Sequence, residues 1–387
     1  MDLFSAIIQT ASGGPEVRDY AALSYNYIPK EIEFRDDQIT KIVNGIKPVT
    51  QKGYARNLAL VGPAGTGKTL TIRYALKRFK EDFAIKSVYF PTELSTTYQF
   101  LTTIAETLGC PLPKGKITNS EVHVAITNYL IEHNEKIILV FDEVDTYFAE
   151  RQNDLFMPLL KRNEGMVSIV LVTNRIYKVV NAFTEAFQSV AGLTKVDYPN
   201  YTIDELGTIL EKRAQLALKG NVLDEGVIRY IAAVVANENG DARYGLHTLS
   251  AAVDIASSTG QPRITMDIAK EAFVQAETEY LLVPLTKLLP VEQHVYLTIV
   301  ESLEGKESIP RGAVLTAFNA KQRAEHHREY SASWMNDKVK HLEVGGFLSV
   351  VPVGRSRGKG VDWVVSLPNI NREATKAKLC ELLGVEK

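Results

Sequence analysis

Eight residues carry the strongest chemistry in the chain: Gly62-Pro63-Ala64-Gly65-Thr66-Gly67-Lys68-Thr69. Their spacing is G-x-x-x-x-G-K-[ST], the pattern of a phosphate-binding loop. Gly62, Gly65 and Gly67 permit backbone angles that side chains forbid, so successive N–H groups can turn onto phosphate oxygens. Lys68 would bring a full positive charge to the outer phosphates. The Thr69 hydroxyl would be a ligand for Mg2+, which keeps most of its waters and needs few protein oxygens. The bland alternative is a glycine turn with a lysine on the next helix, and it does not call for the full match.

A second cluster is Asp142 with Glu143, at the end of the apolar run Ile137-Ile138-Leu139-Val140-Phe141. Beside a phosphate loop, Asp142 would hold the magnesium shell and Glu143 would orient an attacking water. Taken alone, the pair could equally be solvated acids at a strand end. The run Val167 to Thr173 ends on Asn174, whose amide could face the outermost phosphate or cap the following helix. Arg243, in Gly240-Asp241-Ala242-Arg243, falls in the first turn of a helical pattern. A cation there opposes the helix dipole, so an anion is expected opposite it. That anion could be a terminal phosphate, or the carboxylate of Asp241 or Glu238.

These groups need a scaffold. Apolar runs at 58–61, 87–90, 137–141 and 167–172 alternate with helical patterns. They are continuous rather than alternating, which predicts a parallel sheet covered on both faces with its ligand at the strand carboxyl ends. Residues 196–199 read as a last strand. Ser12-Gly13-Gly14-Pro15 marks a loose leader over residues 1–30. Tyr27-Ile28-Pro29, ahead of an amphipathic helix over 35–45, could wall an adenine pocket or simply pack on the core. From Tyr201 the patterns are helical only, punctuated by Gly220, Gly240 and Gly260. A proline-bearing hinge at 281–290 precedes three helical patterns, the last over 331–344, and two apolar runs at 347–351 and 361–367. Between those runs lies a glycine-rich tip with Arg355, Arg357 and Lys359. Three helices and a basic-tipped hairpin make a winged helix-turn-helix pattern. The expected organisation is a nucleotide-binding α/β core (1–200), a helical lid (201–283), a winged-helix domain (284–370) and a tail (371–387).

Composition narrows the class. The chain has 387 residues, 45% apolar and 23% charged, with a formal net charge of −2. Any nucleic-acid surface must therefore be local. No apolar run reaches membrane-spanning length. Two distant cysteines, Cys110 and Cys380, suggest neither a disulfide framework nor a zinc site. These features favour the cytosol.

The order of phosphate loop, acidic strand end, Asn strand end, Arg-bearing lid and winged helix resembles the AAA+ ATPase superfamily. Within it, the chain is similar to the archaeal replication-initiator family, related to the eukaryotic origin recognition complex and cell-division-control initiator proteins. The resemblance runs from about Tyr27 to Leu367 and is most specific in Gly240–Arg243 and the winged helix. It implies ATP or ADP with Mg2+ as cofactors. The implied nucleotide contacts are Tyr27, Ile28, Pro29, Arg35, Pro63, Ala64, Gly65, Thr66, Gly67, Lys68, Thr69, Leu70, Tyr201, Ile209 and Arg243. Thr69 and Asp142 would serve the metal, and Glu143, Asn174 and Arg243 hydrolysis. The implied partners are double-stranded origin DNA, paralogous initiator subunits and the replicative helicase, in a nucleoid-associated cytoplasmic protein without membrane contact. An initiator-specific insertion touching duplex DNA would fall near 110–122, with Lys114 and Lys116. The helix over 331–344 would offer Ser331, Ser333, Asn336, Lys338 and Lys340, and the wing Arg355, Arg357 and Lys359.

One departure qualifies this. Family members usually carry an arginine after the Asn strand end that serves a neighbouring subunit's phosphate. Here residues 181–188 read Asn-Ala-Phe-Thr-Glu-Ala-Phe-Gln. Such a finger contributes roughly 10³–10⁵ in rate where it operates, so weak hydrolysis is expected, with nucleotide acting as a conformational clamp. A clamp-loader-like remodelling ATPase, using the winged helix for protein contacts, is the alternative, and a nucleotide-sensing transcription regulator a third.

Overall fold

The computed structural model describes residues 14–48, 56–83, 85–91, 96–113, 115–144, 152–163, 165–174, 184–238, 240–277, 279, 282–324, 328–354, 361–367 and 372–385. Residues 17–218 and 240–246 form one compact unit, and residues 219–239 and 247 onward belong to a second.

The first unit runs α1 (Asp36–Ile46), β1 (Leu58–Val61), α2 (Lys68–Phe83), β2 (Lys86–Phe90), α3 (Thr97–Leu108), α4 (Asn119–His133), β3 (Ile137–Phe141), α5 (Met157–Arg162), β4 (Val167–Thr173), α6 (Glu185–Ala191), β5 (Thr194–Asp197) and α7 (Ile203–Ala217). The strands form one sheet in the order β2-β3-β4-β1-β5, every neighbour parallel. Every residue of β1, β3 and β4 is buried. Strand side chains alternate faces, and β3 shows the result. Ile137, Leu139 and Phe141 pack in a core with α3, α4 and α5, while Ile138 and Val140 pack with α1 and α2. A sheet with two buried faces leaves its strand ends as the place for polar chemistry. The order sets β4, which ends before Asn174, between β3, which ends before Asp142, and β1, which feeds the phosphate loop.

Helix starts follow local chemistry. Thr96, Thr118 and Thr202 each close a capping box, with Gln99, Glu121 and Glu205 reaching back. The leader, expected to be loose, is tied down from Val17 onward. Val17 pairs with Leu218 in an antiparallel bridge, and the Arg213 side chain of α7 donates to the carbonyls of Ala22 and Ser24.

The second unit contains α8 (Val227–Glu238), the part of α9 (Ala242–Ser258) from His247 on, and α10 (Met266–Glu277). It continues with α11 (Pro290–Ser302), β6 (Ser308–Pro310), α12 (Arg311–Ala324), α13 (Ala332–Val344), β7 (Ser349–Gly354), β8 (Val361–Ser366) and α14 (Arg372–Leu383). Strands β6, β8 and β7 form an antiparallel sheet in that order. With α11, α12 and α13 this is the arrangement expected of a winged helix-turn-helix. Asn319 of α12 fixes the turn, donating to the Tyr330 carbonyl at 3.0 Å and accepting from its N–H at 2.9 Å. Helix α10 and strand β6 did not stand out in the sequence. The buried stripe of α10 is Ile268, Ala269, Ala272 and Ala276, mostly small residues. The three residues of β6 end on Pro310, which a sheet edge tolerates.

Candidate functional site

The phosphate loop holds its shape by close approach. Gly65 and Gly67 have φ of 69° and 89°, the left-handed region that favours glycine. A Cβ at Gly65 would lie 1.8 Å from Asp241 Oδ1, and one at Gly67 2.8 Å from the Tyr201 hydroxyl. Lys68 Nζ donates to the carbonyls of Gly62 at 2.7 Å and Pro63 at 2.6 Å. The Thr66 hydroxyl donates to the Pro63 carbonyl at 2.8 Å.

Arg35 supports the loop from behind. It is 2% exposed. Its Nε donates to the Thr66 carbonyl at 2.9 Å and its Nη2 to the Pro199 carbonyl at 2.8 Å. The guanidinium carbon sits 3.8 Å from the Tyr201 ring centroid. Expected beside the adenine, Arg35 instead braces the loop, because its donors are directed at backbone carbonyls.

At the acidic strand end, Asp142 is buried and accepts the Thr69 hydroxyl at 2.7 Å. The Glu143 N–H donates to the other carboxylate oxygen at 2.8 Å. Glu143 has φ of 51°, a left-handed conformation costly for a residue with a Cβ. Its side chain is exposed. Tyr89, at the end of β2, also donates to Asp142. Burial first, then the Asp142 charge, pushes the Tyr89 hydroxyl well above the ordinary phenol range, so it stays a donor.

These groups converge on one cavity of about 720 Å³ in the first unit. Its wall includes Ala64, Gly65, Gly67, Lys68, Thr69, Leu70, Asp142, Glu143, Asn174, Tyr201, Ile209 and Arg243, with Tyr27 and Pro29. Ile28, Pro63, Thr66 and Arg35 are not on it. The residues fit a magnesium–nucleotide pair. Thr69 and Asp142 present hard oxygens in mutual contact, and the glycine loop leaves room that a Cβ would fill. Tyr25, Tyr27, Pro29, Ile32 and Leu216 add apolar surface to the wall.

Sequence reasoning missed three residues here, Tyr89, Arg73 and Arg213, and offered a fourth, Asp241, only as an ion-pair partner of Arg243, which it is. Tyr89 and Arg73 line the cavity, with the Arg73 guanidinium 5.9 Å from the Tyr89 ring centroid. Arg213, also on the wall, lies 5.0 Å from the Tyr27 ring, and burial pulls its guanidinium down to about 10. Asp241 is buried against Gly65 and accepts from Arg243 Nη2 at 2.6 Å and Nε at 3.0 Å. The available signals were an Arg within the apolar stripe of α7 and an Asp at the N-cap of α9.

Of the candidate nucleic-acid contacts, Lys114, Arg355, Arg357 and Lys359 lie outside the described residues. Lys116 is exposed beside Tyr98. On α13, Ser333 and Lys340 are exposed and Asn336 is half-buried. The Ser331 hydroxyl accepts from the Trp334 N–H at 3.2 Å and caps the helix. Lys338, whose side chain is 14% exposed, pairs with buried Glu292 of α11 at 3.4 Å. It struts α13 against α11.

Comparisons with known proteins bear on the whole chain. A family model described as an AAA domain matches residues 51–177, and one described as a Cdc6 AAA+ ATPase-type lid domain matches residues 207–274. An ORC1-type DNA replication protein of Desulfurococcus amylolyticus is 30% identical over 351 residues, covering 88% of this chain and 89% of that protein. The Aeropyrum pernix ORC1 protein, solved in complex with DNA, superimposes with a TM-score of 0.72 at 25% identity, covering 94% of this chain and 97% of that one. The Aeropyrum pernix ORC2 protein, solved as ADPNP-ADP complexes, has a TM-score of 0.66 at 20% identity, covering 95% and 98%.

Proposed function

The chain belongs to the family of ORC1-type DNA replication proteins, and on that premise we propose that it is a nucleotide-held initiator that binds origin duplex DNA and helps recruit the replicative helicase. Its AAA+ core implies nucleotide binding. The observation that carries the reading is the convergence of Lys68, the Thr69–Asp142 pair, Glu143, Asn174 and Arg243 on one cavity. DNA as partner is supported by the Aeropyrum pernix relative solved with DNA and by the exposed polar residues of α13.

Lys68 would exchange two loop carbonyls for phosphate oxygens, charge-assisted hydrogen bonds that are stronger than those it leaves. Thr69 and Asp142 would hold Mg2+, which supplies positive charge to the phosphates. Glu143 would orient water and Asn174 would face the terminal phosphate. Helix α6 carries no arginine, so hydrolysis would be slow and the nucleotide would act as a clamp. The protein would work in the cytoplasm on the nucleoid, beside paralogous subunits.

The test is duplex binding across a salt series, for origin and random sequences, with the wild type and with Arg355, Arg357 and Lys359 together changed to Ala. The reading expects tighter binding to origin sequence and a shallower salt dependence in the triple variant. Absence of duplex binding, or no change on substitution, contradicts it.

A further inference from the structure

The Gly240–Arg243 segment holds a second functional group besides its arginine. Asp241 is 3% exposed, yet it carries a carboxylate. It meets three parts of the site at once. Its Oδ1 accepts from the Arg243 backbone N–H at 2.9 Å, capping the start of α9. Its two oxygens accept from Arg243 Nε at 3.0 and 3.2 Å and from Nη2 at 2.6 Å. And it packs so closely on Gly65 that no side chain fits there, while the Ala242 N–H reaches the Gly65 carbonyl at 3.4 Å.

We infer that Asp241 is a positioning residue: its buried carboxylate chelates Arg243 and, by seating on Gly65, fixes that guanidinium at the phosphate end of the cavity. The inference rests on Arg243 serving bound nucleotide. An arginine in the first turn of a helix is opposed by the dipole, and its long side chain loses much rotamer freedom when held. The carboxylate offsets both before any ligand arrives. A guanidinium is planar and forked, so one edge can grip a carboxylate while the group also meets a phosphate. The pair therefore stays together when nucleotide binds. Gly65 is what admits the carboxylate to that place.

The experiment is a double-mutant cycle on affinity for mant-ATP and mant-ADP, with Asp241→Asn, Arg243→Ala and the double variant. Asn keeps the capping oxygen and the shape but loses the charge. We expect Asp241→Asn to weaken mant-ATP about fivefold or more, within the coupling range of neighbouring residues, and mant-ADP by less. In the Arg243→Ala background it should change neither. An equal loss in both backgrounds, or no loss with Arg243 present, overturns the inference. If Arg243→Ala alone leaves both affinities unchanged, the role of Arg243 in the proposed function fails, and the inference with it. Arg243→Lys covers the case in which Asp241→Asn does not fold. It keeps the charge but cannot chelate, so it should also weaken mant-ATP selectively, and full retention overturns the positioning role.

Discussion

The Tyr89 hydroxyl donates to the same Asp142 carboxylate oxygen that accepts the Thr69 hydroxyl at 2.7 Å. The strand order explains this meeting, because β2 and β3 are parallel neighbours with Phe90 opposite Phe141. A phenol donor and the phosphate-loop hydroxyl therefore hold one carboxylate oxygen together. Tyr89→Phe removes that donor and keeps the ring. It should lower stability by about 1.5–3 kcal/mol, the range for a hydrogen bond to a charged group. In an Asp142→Asn background the effect should shrink, and thermal melts of the four proteins would measure both.

Arg213 ties the leader to α7 through two carbonyls and the Tyr27 ring. Arg213→Ala leaves the buried Ala22 carbonyl without this donor, at about 1–3 kcal/mol. Because Tyr27 and Pro29 line the cavity, affinity for nucleotide should fall as well. Limited proteolysis should cut faster within residues 17–33, and Arg213→Lys should restore part of the protection.

His123 gives a pH signature. It is 3% exposed, and its Nε2 lies 2.9 Å from the Asp154 carbonyl, which can only accept. Its Nε2 therefore carries a proton in either charge state, and burial disfavours the charged ring, pulling it below its ordinary 6.5. The unfolded chain then binds more protons between the depressed folded value and 6.5. Stability should be full above about 6.5 and fall as pH drops through that window, by up to about 1.4 kcal/mol per pH unit. Denaturant titrations at stepped pH should give a shallower slope for His123→Gln.

Two lysines two residues apart on α13 should behave differently. Lys338 is paired with buried Glu292, whereas Lys340 is exposed. Lys338→Met should cost about 1–2 kcal/mol of stability and leave the salt dependence of duplex binding nearly unchanged. Lys340→Ala should spare stability and reduce the salt slope by about 1. The reverse pattern would move the nucleic-acid face to the other side of the helix.

What could be read before the fold was known was what is local. Continuous apolar runs named the strands, and the glycine spacing named the loop, since both depend on neighbours in sequence. The residues that escaped are defined by distant partners. Tyr89 and Asp142 are 53 positions apart, and Arg213 meets a carbonyl 191 positions away. The pairing of Asp241 with Arg243 was open to the sequence because the two are neighbours, whereas its seating on Gly65 was not. The family resemblance implies Arg35 as a nucleotide contact, yet its fork is directed at Thr66 and Pro199. Lys338, a candidate DNA contact by its helix alone, pairs with Glu292, 46 positions earlier.

The central claim, that this chain marks origins, is tested most directly by mapping its occupancy across the genome of its own cells by crosslinking and sequencing. The account predicts a few sharp peaks that coincide with the sites where replication starts, lost in a strain carrying the Arg355, Arg357 and Lys359 substitutions. Occupancy spread across promoters, or absent from replication start sites, would contradict it.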